Sequence, residues 1–216
     1  MTDRYILLGC GHTGTTLISG LLILNGFGGY KVSPEFEPLV LNRITYHMLN
    51  NGISDELIDQ AEHFFSTLDS RTDKKWAIKD PKLSDLIGEL YPLIPKPFRI
   101  IYNFRKPGPT IDHLIRARQK QGIPHAIAID EAEEEYYKRN LNVIDFLDEH
   151  SELDVLLVNY DDLVDRKLVC VVNRFVGRKL NYGFIQKSKR KSESINTSER
   201  VQELFARINK KYKQNI

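Results

Sequence analysis

The chain of 216 residues predicts an α/β fold, a central parallel sheet flanked by helices. Three observations predict it. Apolar runs of strand length, "YILLG", "FRIIYNF" and "LDVLLVNY", alternate with longer segments of helical period. A glycine-rich turn, "GCGHTGTT", joins the first run to the first helical segment. No internal repeat and no linker interrupts the pattern. It therefore reads as one domain over residues 1–216, with a core at about 4–180, a basic irregular segment at 181–198 and a closing helix at 198–214.

Each element is justified in turn. Residues 5–9 are a buried strand, and "TTLISGLLILNG" is the helix after it, closed by Gly26. Residues 33–52 and 54–70 read as two helices, with Ser54 the N-cap of the second. "KWAIK" is a short strand. "DPKLSDLIGELYPLI" reads as a helix that Asp80 caps and Pro81 opens. "FRIIYNF" is the clearest buried strand, and "RKPGPTIDHLIRARQK" turns from it into a basic helix. Residues 130–150 form a long helix whose "DEAEEE" start reads as a solvated face. "LDVLLVNY" is the next strand, and residues 161–177 hold a helical turn and a further helix.

Composition narrows the function classes. A net charge of +2 argues against nucleic acid and anionic membrane surfaces as partners, so any anion site is local. Cys10 and Cys170 are the only cysteines, which suggests neither a disulfide framework nor a metal cluster. Cys10, inside the glycine turn, reads as a small turn residue, with a reactive thiol as the alternative. No apolar run is long enough for a membrane span and no cleavable signal is visible, so a cytoplasmic location is expected.

The glycine turn carries the first chemistry. A Walker A loop reads G-x-x-x-x-G-K-[ST]; here Gly9 and Gly14 are spaced correctly, but Thr15 stands where lysine belongs, followed by Thr16. Backbone N–H groups from Gly11 through His12, Thr13 and Gly14, with the helix N-terminus and two hydroxyls, still suit an anion. Without the lysine, a triphosphate is disfavoured. Arg105 and Lys106 fall at the C-terminal edge of another strand, where α/β sheets bind ligands, and arginine suits phosphate. Lys79 closes a third strand and is expected to point into the same cleft.

Together these stretches resemble the PAPS-dependent sulfotransferase family, in its bacterial carbohydrate and small-molecule branch. The family's R-S-G-T-T-L-L loop is matched by "HTGTTLI", its short acidic element by "EFEPLVLN", and its W-x-x-K-D-P-R by "WAIKDPK". Its strand–R-x-P–helix is matched by "IIYNFRKP", and its Y-E-D-L strand end by "VNYDDLVDRKLVCVVNRFVG", all in order over residues 5–177. The resemblance implies a P-loop-containing nucleotide-binding fold. It also implies transfer of a sulfuryl group from PAPS (3′-phosphoadenosine 5′-phosphosulfate) to a hydroxyl of a small-molecule or carbohydrate acceptor, leaving PAP and requiring no metal.

By the same resemblance, residues Gly11 to Thr16 hold the 5′-phosphosulfate and Arg105 the 3′-phosphate, with His113 as second contact. Glu37 is the base, with Glu35 the near alternative, and Lys79 or His12 steadies the bridging oxygen. Two departures stand out: His12 replaces the loop's Lys or Arg, and His113 replaces a serine eight positions after Arg105. Donor affinity is therefore expected to rise as His12 protonates. Tyr137 and Asn140 are candidates to face the acceptor, Trp76 reads as core, and the "KSKRKS" run at 187–192 reads as solvated, with a nucleotide-covering loop as the alternative. The competing functions are a P-loop kinase and a PAP-binding protein without catalysis. The acceptor and the oligomeric state are left open by the sequence.

Overall fold

The structure, a computed structural model, describes residues 3–29, 31–185 and 195–215. Four parallel strands among them form one sheet in the order β2-β1-β3-β4, built from β1 (Asp3–Leu8), β2 (Lys75–Lys79), β3 (Arg99–Phe104) and β4 (Val155–Asn159). The register sets Leu7 beside Lys79 and Ile101, and Phe104 beside Asn159. Every residue of β3 is buried, as a central strand covered on both faces requires. The α/β class read from the sequence is the observed one, with helices flanking the sheet.

Helix α1 (Thr15–Leu24) follows β1, and α2 (Leu39–Asn51) and α3 (Asp55–Arg71) lead into β2. After β2 come a 3₁₀ turn (Pro81–Ser84), the single-turn α4 (Ile87–Leu90) and a second 3₁₀ turn (Tyr91–Leu93). Beyond β3 lie α5 (Pro107–Lys120) and α6 (His125–Glu149); beyond β4 lie α7 (Tyr160–Val164), α8 (Val169–Val176) and α9 (Glu199–Asn215). α1 packs on β1 and β2, while α9 packs on β4 and α6. Trp76, fully buried, is core as expected, and its indole N–H donates to Asp69 at 2.8 Å.

Three elements differ from the sequence reading. The helix expected over 33–52 begins only at Leu39. Pro38 disfavours helical backbone at Glu37 before it, and the Ser33 hydroxyl accepts from the Glu35 and Glu37 N–H groups, folding the segment into turns. The helix expected over 80–94 breaks into short pieces. Ser84 is bonded to both backbone groups of Gly9, at 2.9 and 3.1 Å, which ends the first turn there, and Pro92 lacks the N–H that a continuing helix would use. α6 starts at His125, earlier than the expected Asp130, because Pro124 at its N-cap has no N–H to leave unpaired and can open the helix there.

Asp80 has the capping role its sequence position suggested. It is fully buried, accepts from the Lys82 N–H at 3.0 Å and from the Thr45 hydroxyl at 2.6 Å. It thereby ties the end of β2 to α2, whose preceding segment carries Glu37. Replacing Asp80 with Ala removes a cap and the tie to Thr45, whose hydroxyl keeps the Leu41 and Asn42 carbonyls as acceptors, so we expect a loss of about 1–2 kcal/mol. A loss below about a quarter of that, from the denaturation midpoint and slope, would show that the tie is dispensable.

Candidate active site

The strand order determines where the site lies. The chain leaves β1 for β2 on one side of it and leaves β3 for β4 on the other, so a crevice opens between their C-terminal ends. All four strand ends contribute to one cleft of about 580 Å³: the loop after β1, Lys79 from β2, Arg105 after β3 and Tyr160 after β4.

The loop is held from below, which leaves its upper face to the cleft. Thr13 is fully buried; its hydroxyl donates to the Cys10 carbonyl at 2.7 Å, and its own carbonyl accepts from the Asn103 amide. The Thr13 side chain thus shapes the loop and does not line the cleft, whereas Gly11, His12, Gly14, Thr15 and Thr16 do. Gly14 N-caps α1 at φ 91° with no side-chain cap, so the helix begins with N–H groups that lack intrahelical partners. A Cβ on Gly14 would overlap the Tyr160 ring, so only glycine allows this approach. Cys10 is buried, and burial, reinforced by the Glu135 carboxylate, pushes its thiol up to about 12. It is a small turn residue, not a reactive thiol.

At one end of the cleft Lys79, only 3 % exposed, donates to Thr16 Oγ1 at 3.1 Å and forms an ion pair with Glu37 Oε1. The other Glu37 oxygen accepts from Asn42 at 3.0 Å. Glu35, an exposed residue, also lines this end. At the other end Arg105 is buried, with its guanidinium 4.6 Å over the Tyr160 ring and its carbonyl accepting from the Tyr136 hydroxyl. His12 and His113 stack beside it, ring centres 5.4 Å apart and 20° from parallel. His12 reaches that position from left-handed backbone at φ 63°, a conformation that costs a side-chain-bearing residue about 1 kcal/mol.

Both imidazoles titrate below the ordinary histidine value. Protein crowded around His12 removes water from its cation even though part of the residue stays exposed, and His113 and Lys79 add repulsion. For His113 the causes are burial and then Arg105. At neutral pH both rings are therefore uncharged. Any gain in donor affinity from protonating them is complete only below these lowered free-protein values.

The cleft does not include every residue that the sequence put forward. Asn140 is buried and accepts from the Tyr102 hydroxyl at 2.6 Å, while Tyr137 lies under Arg200; neither lines the cleft. Nor is the acidic start of α6 simply solvated: Glu131 and Glu135 pair with Arg118, and Glu135 with Arg139, beneath the loop. The basic run at 187–192 lies outside the described residues. Conversely, sequence reasoning missed Tyr160 and Phe184 as cleft residues and Ser84 as the clamp on Gly9. Tyr160 had a signal, its place at a strand end; Phe184 had none.

The lowered histidine values imply a pH dependence. The unfolded chain binds protons first near pH 6.5, so this contribution to stability is complete above that pH and is lost as pH falls toward the folded-state values. The difference in unfolding midpoint between the wild type and a His12→Gln/His113→Gln variant should shift in the variant's favour from pH 7.5 to pH 5. A constant difference would contradict it.

No family model matches this chain, and no curated protein sequence matches it either. Solved structures do. The chain is similar to a sulfotransferase domain from the curacin biosynthetic pathway, with a TM-score of 0.67 and 16% identity, covering 97% of this chain and 98% of that one. The sulfotransferase domain of the Synechococcus PCC 7002 olefin synthase aligns at TM-score 0.61 and 18% identity, over 93% of this chain and 79% of that one. Sulfotransferase STF9 from Mycobacterium avium aligns at 0.67 and 12%, over 97% and 76%. This four-stranded parallel sheet with its flanking helices has the fold of bacterial sulfotransferase domains.

Proposed function

We propose that the chain is a sulfotransferase-like domain that moves a sulfuryl group from PAPS to an acceptor hydroxyl, giving a sulfate ester, PAP and a proton. The observation that carries this reading is Lys79: a nearly buried ammonium bonded at once to Thr16 of the anion loop and to Glu37. The cleft also fits the donor. The uncapped start of α1 and buried Arg105 offer two anion-binding positions at its edge. The missing loop lysine tells against ATP.

PAPS supplies an activated sulfuryl group and leaves as PAP. The loop amides and the Thr15 hydroxyl would hold the 5′ end, and Arg105, backed by Tyr160, the 3′-phosphate. Lys79 has three N–H donors, enough to keep Thr16 and Glu37 while steadying the bridging oxygen. Glu37, oriented by Asn42, would take the acceptor proton and pass it to water. The uncharged histidines at the donor end favour a second reading, a PAP-binding protein without transfer.

A saturating level of PAP, about 100 times its dissociation constant, should stabilise the chain by about 2.7 kcal/mol, a midpoint rise of roughly 5–10 °C. ATP or sulfate at matched ionic strength should give little, and Arg105→Ala should abolish most of the PAP shift. A shift with ATP and not PAP would overturn the donor assignment. Glu37→Gln should keep PAP binding while lowering turnover by about 10²–10⁴-fold. PAP binding with no transfer by the wild type to any acceptor class would favour the second reading.

A further inference from the structure

We infer that the acceptor is an alcohol or phenol carried on an apolar body, not a polyhydroxylated sugar. The inference depends on the proposed transferase reading for its donor and names the substrate class for the Glu37 end of the cleft. That end has an apolar wall. Leu17 follows Thr16, Pro81 lies just after Lys79, and Phe184 closes the side. Phe184 is 40% exposed, yet held in place: it meets Phe36 edge to face, ring centres 6.0 Å apart at 88°. Both rings rest on Gly20 of α1, where a Cβ would lie 2.8 Å from each. Phe36 is itself pinned, its carbonyl accepting from the Ser19 hydroxyl and its N–H donating to the Ser33 carbonyl. Just past Glu37, Leu39 and Val40 leave the first turn of α2 exposed.

Hydroxyl chemistry decides between acceptor classes. Each sugar hydroxyl stripped of water needs a new partner or costs free energy. Among the described residues at this end, the polar side chains lining the cleft are Glu35, Glu37, Lys79 and Thr16. Lys79 is bonded to both Thr16 and Glu37, which leaves Glu35 as the further carboxylate acceptor. One hydroxyl at Glu37 and a second at Glu35 are served by these side chains, and a ring of further hydroxyls is not. An apolar body, by contrast, gains by covering Leu17 and Phe184. In the step itself, the acceptor oxygen forms a bond to sulfur as the bond from sulfur to the 5′-phosphate oxygen breaks. The hydroxyl proton goes to Glu37 and then to water.

The test uses the full chain with PAPS and two acceptor pairs, 1-octanol and 2-naphthol against methyl glucoside and trehalose. It also measures 2-naphthol binding to the PAP-loaded protein by fluorescence. The apolar acceptors should exceed the sugars in kcat/KM by at least about tenfold. Phe184→Ser should weaken naphthol binding and octanol kcat/KM by roughly tenfold, equivalent to about 1.4 kcal/mol. Phe184→Leu should retain most of both, and neither variant should change the PAP-induced midpoint shift. Sugars used as well as the alcohols would overturn the inference, as would a Phe184→Ser variant with unchanged naphthol binding. A PAP shift with neither acceptor class bound or sulfated would overturn it and leave the donor reading intact. Phe184-dependent naphthol binding with no PAP shift would overturn the donor reading and the acceptor role with it, leaving only an apolar binding site.

Discussion

The burial of the Lys79 ammonium at the end of β2 constrains everything around it. A charge removed from water is tolerable only where opposite charge and hydrogen-bond acceptors meet it. Here Glu37 and Thr16 meet it, from two different segments. Thr16 is available because the glycine loop turns β1 directly into α1. Glu37 is available because Pro38 and Ser33 keep its segment out of helix, and because Asp80, next to Lys79, binds Thr45 of α2. One lysine therefore couples the anion loop, the candidate base and the second strand, and each of these elements is folded in the way that satisfies it.

How much of this was legible in the sequence depended on the range of the interaction. Lys79, Arg105 and the loop could be placed because a strand's C-terminal residue is carried to the sheet edge by the strand itself, whatever packs around it. Asp80 was legible because a helix cap is local. Phe184 was not, since its position against Phe36 and Gly20 comes from packing between distant segments. Asn140 and Tyr137 show the converse difficulty: helical period defines a face but not what that face meets. In the folded chain that face meets Tyr102 and Arg200.

The similarity to solved sulfotransferase domains, at 12% to 18% identity in the three cases above, establishes an architecture. Chemistry has to be argued from the residues at the strand ends. There the stacked pair His12 and His113 sets this chain apart from the pattern its motifs otherwise follow. Two neutral rings offer directed hydrogen bonds and a flat surface where a guanidinium would offer fixed charge. Among the described residues that line that end of the cleft, Coulombic attraction is accordingly left to Arg105 and the helix terminus.

The contact between Gly14 and the Tyr160 ring has a bearing on how such a cleft comes into being. It joins the first turn of the chain to the far end of β4, so the cradle is closed by one of the most non-local contacts a chain of this kind can make. Loop closure over so long a stretch is entropically slow. The loop itself needs Ser84 and Asn103 to clamp it, and its ring wall and the stacking partner of Arg105 arrive only when β4 docks. Anion binding would then be a property of the completed sheet, and a bound anion would guard the molecule against global opening more than against fraying of its parts.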